Sequence, residues 1–232
     1  MLALLLSVLG AWVDPMIGTE ATGHASPGPC RPFGLVQPSP DTGNGNWDHC
    51  AGYVGTDRRI RRFSQTHLNG TGNTSLGDVA IMPFVGKPPA DGDFSAAYEK
   101  RDEHAELGYY RVEIAVGVRL ARYRITFPEG RPGGLLLDFP YGLYREPESE
   151  VLLTRACRVE KVSDRRLRGQ NVSDVWTTRR IGYVVDFDRA ADSLEVLAMR
   201  KGPQYAATFS GGGTVEVAIA LSSRSTDGAA SR

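Results

Sequence analysis

Two short stretches gather side chains able to do chemistry. In NWDHCAGY, residues 46–53, an indole, a carboxyl and an imidazole stand side by side as Trp47, Asp48 and His49. In THLNGTGNTSLGD, residues 66–78, His67 stands near the start and Asp78 at the end of a run with three glycines, three threonines and two asparagines. A further acid, Asp41, sits in SPDTG. Such a set could do general acid–base work, which needs carboxyls placed to move protons. It could instead bind a ligand, with a ring on an apolar face and polar groups on a rim. Nothing in the spacing pairs Asp41, Asp48 and Asp78. Isolated aspartates in Gly- and Pro-rich loops usually form turns, and Asp41 and Asp78 are read that way. No catalytic residue is assigned in this chain. Loops this specific in residue choice, set on a rigid scaffold, are where binding is carried.

The scaffold is legible further along. YYRVEIAV sets Tyr110, Val112, Ile114 and Val116 against Arg111 and Glu113, the period of a half-buried strand. In VRLARYRITF, Tyr123, Ile125 and Phe127 face one way and Arg122, Arg124 and Thr126 the other. Val118 and Leu120 belong to the opposite phase, which predicts a bulge near Ala121. GLLLDF, VLLTRACRVEKV, IGYVVDFD, LEVLAMR, YAATF and TVEVAIAL continue the series, separated by turn signals such as PEGRPGG and SGGG. Many strands and no long helix predict an all-β fold: a large, twisted two-sheet antiparallel β-sandwich with a loop-rich amino-terminal third. Its expected extent is residues 12–223, with 224–232 as the start of a linker and the small-residue end as irregular chain.

Composition bounds the rest. The 232 residues balance 27 basic against 27 acidic side chains, so nothing favours nucleic acid as a partner. Residues 1–11, MLALLLSVLGA, are apolar and too short to span a bilayer. They are read as part of a secretory signal, and so predict export to the periplasm, cell surface or medium; a buried first strand is the alternative. No membrane span is expected. The three cysteines show no zinc spacing. Cys30 and Cys50 are the one plausible disulfide pair, with buried free thiols as the alternative.

Several ordered motifs resemble the amino-terminal part of glycoside hydrolase family 92, the exported α-mannosidases. They are VDPMIGT (13–19), a Gly-His and a Pro-Gly leading to PFG and SPDT, the WD-x-C-x-GY pattern from Trp47 to Tyr53, FSxTHLxGTG…LGD…MP from Phe63 to Pro83, GYYRV (108–112), TFP (126–128) and STDGA (225–229). Gln65, Asn73 and Leu107 depart from the pattern. The resemblance implies a two-domain enzyme, a β-sandwich followed by an (α/α)6 barrel, with the active site where they meet. It implies calcium-dependent removal of terminal mannose with inversion, the acid, the base and most of the Ca2+ site belonging to the barrel. Mannose-containing glycans and the barrel of the same polypeptide are then the partners. This chain, the sandwich alone, is expected to be inactive and to supply no metal ligand.

A sugar offers an apolar C–H face and a rim of hydroxyls, and Trp47 with Asp48 suits both. The residues expected to bind substrate are Trp47, Asp48, His67, Gly28, Phe33, Asn69 and Gly72. Trp47 could instead anchor the core, and His67 could brace its loop. His24 is a weaker candidate; His49 and His104 are expected to face solvent. The alternatives are a stand-alone lectin-like module, which would show an aromatic platform built from residues such as Tyr123, Trp176 and Tyr183, or a purely structural sandwich. Asn69, Asn73 and Asn171 head glycosylation sequons.

Overall fold

The structure, a computed structural model, describes residues 13–32, 34–43, 46–70, 72, 76–106, 109–110, 114–116, 120–143, 154–174, 177–197 and 202–230. The strands begin short: β1 (Ser39–Asp41), β2 (Arg59–Ile60), β3 (Arg62–Ser64), β4 (Ala80–Val85), β5 (Ala96–Ala97), β6 (Ala105–Glu106), β7 (Tyr109–Tyr110) and β8 (Ile114–Val116). They then lengthen: β9 (Leu120–Phe127), β10 (Gly133–Asp138), β11 (Thr154–Ser163), β12 (Arg166–Asp174), β13 (Thr178–Phe187), β14 (Ser193–Leu197), β15 (Gln204–Phe209) and β16 (Gly213–Ser222). One six-stranded sheet has the order β1-β3-β4-β10-β15-β14, and a second has the order β11-β12-β13-β16-β9-β8. The pairings are antiparallel, so this is the all-β sandwich that the alternation predicts.

The core lies between the sheets. Val215, Val217, Ile219 and Leu221 of β16 and Tyr123, Ile125 and Phe127 of β9 are buried, while Arg122, Arg124 and Thr126 are exposed. Each fully buried aliphatic or aromatic side chain contributes roughly 1.5–3 kcal/mol of transfer free energy. All six residues of β10 are buried. Its two leading glycines are there for space: a Cβ on Gly133 would lie 2.1 Å from the Phe127 ring, and one on Gly134 would lie 2.1 Å from Phe84.

Two expectations are corrected. No bulge interrupts β9, which pairs with β16 in unbroken register from Leu120 to Phe127; Ala121 simply shares the buried face of Tyr123. The register shifts lie in β11 instead, between Thr154 and Ala156 and between Lys161 and Ser163. The small-residue end is not irregular throughout: Thr226–Ala230 forms a helix, α1, whose Ala229 packs with Val184 and Ala220 on the outer face of the second sheet. Gly182 admits it, since a Cβ there would sit 2.6 Å from the Ser225 backbone. Asn171 cannot accept a glycan in the fold, because it is buried and its Nδ2 donates to the Phe139 carbonyl.

Of the two readings of the cysteines, the Cys30–Cys50 disulfide is not formed. All three thiols are free, with Cys30 exposed and Cys50 buried. The Cys50 Sγ donates instead to the Trp47 carbonyl at 2.7 Å. Residues 1–12, on which the signal reading falls, lie outside the described residues.

Candidate functional site

The loop-rich third is ordered by buried polar pairings rather than by strand ladders. Asp41 ends β1 fully buried, and its Oδ1 lies 2.9 Å from His67 Nε2. Ser64 Oγ lies 3.2 Å from the same nitrogen. His67 Nδ1 donates to the Gln37 carbonyl at 2.7 Å. Gly52, with φ of +83°, makes room for the pair: a Cβ there would sit 2.2 Å from Asp41 Oδ1. His67 is therefore the brace, its side chain wholly buried, and it presents no surface to a ligand in this chain. Asp41 is not the turn former that SPDTG suggests, because its partner stands 26 residues away.

Asp78 is also more than a turn residue. Its Oδ2 accepts from Thr66 Oγ1 at 2.7 Å, and Thr66 Oγ1 accepts in turn from the Gly77 and Asp78 amides. The two ends of the 66–78 loop are thereby tied together. Asp78 Oδ1 accepts from Arg179 of β13 at 3.0 Å, which fixes the loop to the second sheet. Asn69 ties the middle of the loop down, its Oδ1 accepting from both the amide and the hydroxyl of Ser26 at 2.9 Å. Gly28 lies tight on the chain leading into β1, where a Cβ would be 1.9 Å from the Pro38 carbonyl oxygen.

These supports hold up one exposed ring. Trp47 opens a 3₁₀ turn (Trp47–His49) capped by Asn46, whose side chain accepts from the His49 amide. The indole is 63% exposed, so it does not anchor the core. His24 meets it edge-on, with ring centroids 5.1 Å apart and planes at 88°. Gly72, with φ of +62°, backs it so closely that a Cβ would lie 2.9 Å from the indole. Asp48 is exposed on the same turn. His49 does not face solvent freely: its ring nitrogens lie 2.5 Å from Asn46 Oδ1 and 2.7 Å from Asp57 Oδ2. Phe33 lies outside the described residues. Trp47, Asp48 and Gly72 thus come together, while His67, Asn69 and Gly28 act behind them as supports.

One cluster had no signal in the sequence beyond the spacing of Lys100 and Glu103. The Lys100 ammonium donates to Tyr53 Oη (2.5 Å), Tyr98 Oη (2.6 Å) and Glu103 Oε2 (2.8 Å). Tyr53 and Tyr110 both donate to Glu103 Oε1. Burial, then the Glu103 carboxylate, pushes both tyrosine hydroxyls well above their ordinary value. Tyr53 belongs to the segment that carries Trp47, so this cluster is a further support. Tyr123 and Tyr183 are buried and make no surface platform; Trp176 lies outside the described residues. Among the described residues, no group of three or more His, Cys, Asp or Glu side chains could hold a metal ion.

The two-sheet sandwich thus presents from its loop end one braced indole and, on the same turn, an exposed carboxyl. Residues 12–226 match the model of the glycosyl hydrolase family 92 N-terminal domain, and the chain belongs to that family. Its fold is similar to that of the family 92 α-mannosidase BT3965 of Bacteroides thetaiotaomicron, solved with mannoimidazole, at a TM-score of 0.82 and 25% identity. That alignment covers 96% of this chain and 33% of the mannosidase. The inverting mannosidase BT2199 of the same organism shares the fold at a TM-score of 0.72 and 19% identity, over 94% of this chain and 32% of its own. An uncharacterised secreted glycosidase of Arthroderma benhamiae is 26% identical over 134 residues, 50% of this chain and 17% of the fungal protein. The chain thus spans about a third of the solved mannosidases and less of the fungal relative. Among the described residues, no helix is long and apolar enough to cross a membrane.

Proposed function

We propose that this domain forms one wall of the mannose pocket of an exported, inverting, calcium-dependent exo-α-mannosidase, and that a barrel domain of the same polypeptide supplies the other wall and the chemistry. The observation that carries this is Trp47: a large ring left exposed, yet fixed by His24, Gly72 and a capped turn. An indole held this way covers the C–H face of a pyranose at little cost in conformational entropy, and Asp48 beside it accepts from the hydroxyl rim. The mannoimidazole held by BT3965 and the secreted description of the fungal relative support the substrate class and the export.

The chain's own acids explain why chemistry is assigned elsewhere. Inversion needs two carboxyls roughly 6.5–9.5 Å apart across the scissile bond. Asp41 and Asp78 are buried in pairings with His67 and with Thr66 and Arg179. Of the three acids in the candidate segments only Asp48 is exposed, and one carboxyl cannot be both acid and base in an inverting step. Ca2+ takes about six to eight oxygen ligands, and the described residues offer no such cluster. The ion is assigned to the barrel, so calorimetric titration of the chain with Ca2+ should give no tight binding, and tight binding would overturn that assignment.

The test is Trp47→Ala in the polypeptide that joins this domain to a family 92 barrel. An aryl α-mannoside should show KM raised about tenfold or more, on the scale of a lost ring–ligand contact. Unchanged KM and kcat in a folded variant would leave a purely structural sandwich as the better reading.

A further inference from the structure

A cleft of about 270 Å³ opens beside the ends of β1 and β3, with Arg61, Arg62, Asp91, Asp93, Ser95 and Tyr141 in its wall. It is at the small end of ligand pockets, which run roughly 300–1,000 Å³. Its polar groups are held in place. Arg62 Nε donates to Asp138 Oδ2 at 3.2 Å, Nη1 donates to the Arg61 carbonyl at 2.6 Å, and the guanidinium lies over the Phe94 ring. Arg61 Nε donates to the Thr42 carbonyl at 3.3 Å, while its two terminal nitrogens bond no described residue. Asp91 Oδ1 accepts from the Asp93 amide and Asp93 Oδ1 from the Ser95 amide, while Asp93 Oδ2 lies 3.6 Å from the Arg59 guanidinium, which itself donates to Ser95 Oγ. Hydrogen bonds from Ser95 hold the Asp93 carboxyl below its ordinary value, which keeps it an acceptor.

Charge decides the ligand class. Two guanidiniums and two carboxylates line the cleft, and Asp138 stands behind Arg62. An anion would meet Asp91 and Asp93; a cation would meet Arg61 and Arg62. A neutral vicinal diol suits both, because each hydroxyl can accept from a guanidinium and donate to a carboxylate. The cleft also adjoins the Trp47 turn. Gly43 lies in its wall, and a Cβ on Gly43 would fall 1.9 Å from Cγ of His49, the last residue of that turn.

We propose that this cleft is a second sugar subsite, binding one neutral hexose unit of a mannose-containing glycan through Arg61, Asp91 and Asp93. The choice of a sugar over other diols rests on the carbohydrate reading of Trp47. The cleft is independent of that ring in its contacts, so the two can be tested apart.

The experiment is amide-resolved NMR of the 232-residue chain, titrated separately with methyl α-mannoside, an α-linked mannobiose and inorganic phosphate. Shifts at Gly43, Asp93, Ser95 and Gly142 report the cleft; those at Asp48 and Gly72 report the Trp47 site. Both sugars should move the cleft set. Arg61→Ala, an exposed residue whose loss should leave the remaining spectrum in place, should weaken that response about tenfold and spare the Trp47 set. Asp91→Ala should act in the same direction. Trp47→Ala should abolish the Trp47 response and spare the cleft. Cleft amides that ignore both sugars, or follow them equally in Arg61→Ala, overturn the subsite while leaving the pocket at Trp47 standing. A cleft response to phosphate in place of sugar overturns it as well. An Arg61-dependent cleft response beside a silent Trp47 set supports the subsite, and the Trp47 pocket is then judged by the KM test in the polypeptide that carries the barrel.

Discussion

The loop-rich third, residues 13–79, and the long-stranded part, residues 120–222, solve the same problem by different means. In the second, apolar alternation does the work: β9, β13 and β16 send Tyr123, Tyr183, Val217 and their neighbours into one core. In the first, the chain is too rich in Gly and Pro for ladders, and charged or hydroxyl groups go inside. Of the buried polar residues among those described, eleven lie between Thr19 and Asp78, and five lie beyond. A core built from apolar contacts tolerates compromise in detail. A buried polar network does not, because each half-pair left behind keeps its desolvation cost. The loop third is therefore the part in which single substitutions should be felt most, although it holds less regular structure.

The sharpest test removes one half of the central pair. His67→Ala should destabilise the chain by about 3–5 kcal/mol, the scale of a buried pair broken on one side. Denaturant midpoints read it directly. Ile219→Val, one methylene from the apolar core, should cost only about 0.5–1.5 kcal/mol. If the two losses were alike, the contrast between the regions would fail.

Alkaline pH sharpens the comparison from the other side. Tyr53 and Tyr110 in the support cluster and Tyr123 and Tyr183 in the core all have hydroxyls pushed above their ordinary value, burial being the first cause in each. The folded chain then holds protons that the unfolded chain releases above about pH 10. Stability from these groups is fully present below that pH and is lost as pH rises above it, by about 1.4 kcal/mol per pH unit for each tyrosine still protonated in the fold. Urea midpoints between pH 8 and 11 should stay level and then fall steeply.

A gentler probe is thiol labelling. Burial pushes the Cys157 thiol up to about 11 and raises that of Cys50 as well. The thiolate is the reactive form, so at pH 8 exposed Cys30 should react first, half-buried Cys157 more slowly, and buried Cys50 only on unfolding. The smallest effect expected is that of Trp47→Ala on stability. An exposed ring outside the core should shift the denaturant midpoint by no more than about 0.5 kcal/mol, which keeps its loss of sugar binding interpretable.

What the sequence made legible follows the same division. β9 and β16 could be read because period-2 alternation is a local signal, and β13 and β15 because short apolar runs stand between turn signals. β12 went unread because RLRGQNVSD shows no such alternation: its outward arginines pair across the sheet, Arg166 with Asp186 and Arg168 with Glu160, and Gly169 leaves its space to Tyr183. Trp47, Asp48 and Gly72 were singled out by their types and by the family pattern, and Gly72 does stand against the Trp47 ring. The roles of Asp41, His67 and Asp78 were not, because a turn-like tetrapeptide says nothing of partners as far off as His67 from Asp41 or Arg179 from Asp78. The Arg61 cleft was missed for the same reason, since its walls come from four separate segments.

The cluster around Lys100 has one further consequence. Tyr53 and Glu103 are 50 residues apart in the chain, and their hydrogen bond, with the Lys100 ammonium on both, closes that span. Secreted domains often close such spans with a disulfide, which constrains the unfolded ensemble. Here the three thiols stay free and a phenol–carboxylate–ammonium clasp holds the ends together. The clasp acts only once the chain has folded, so it cannot restrict the unfolded state as a covalent link would. It is also indifferent to thiol–disulfide exchange, so this closure of the chain answers to proton concentration and not to the redox state of its surroundings.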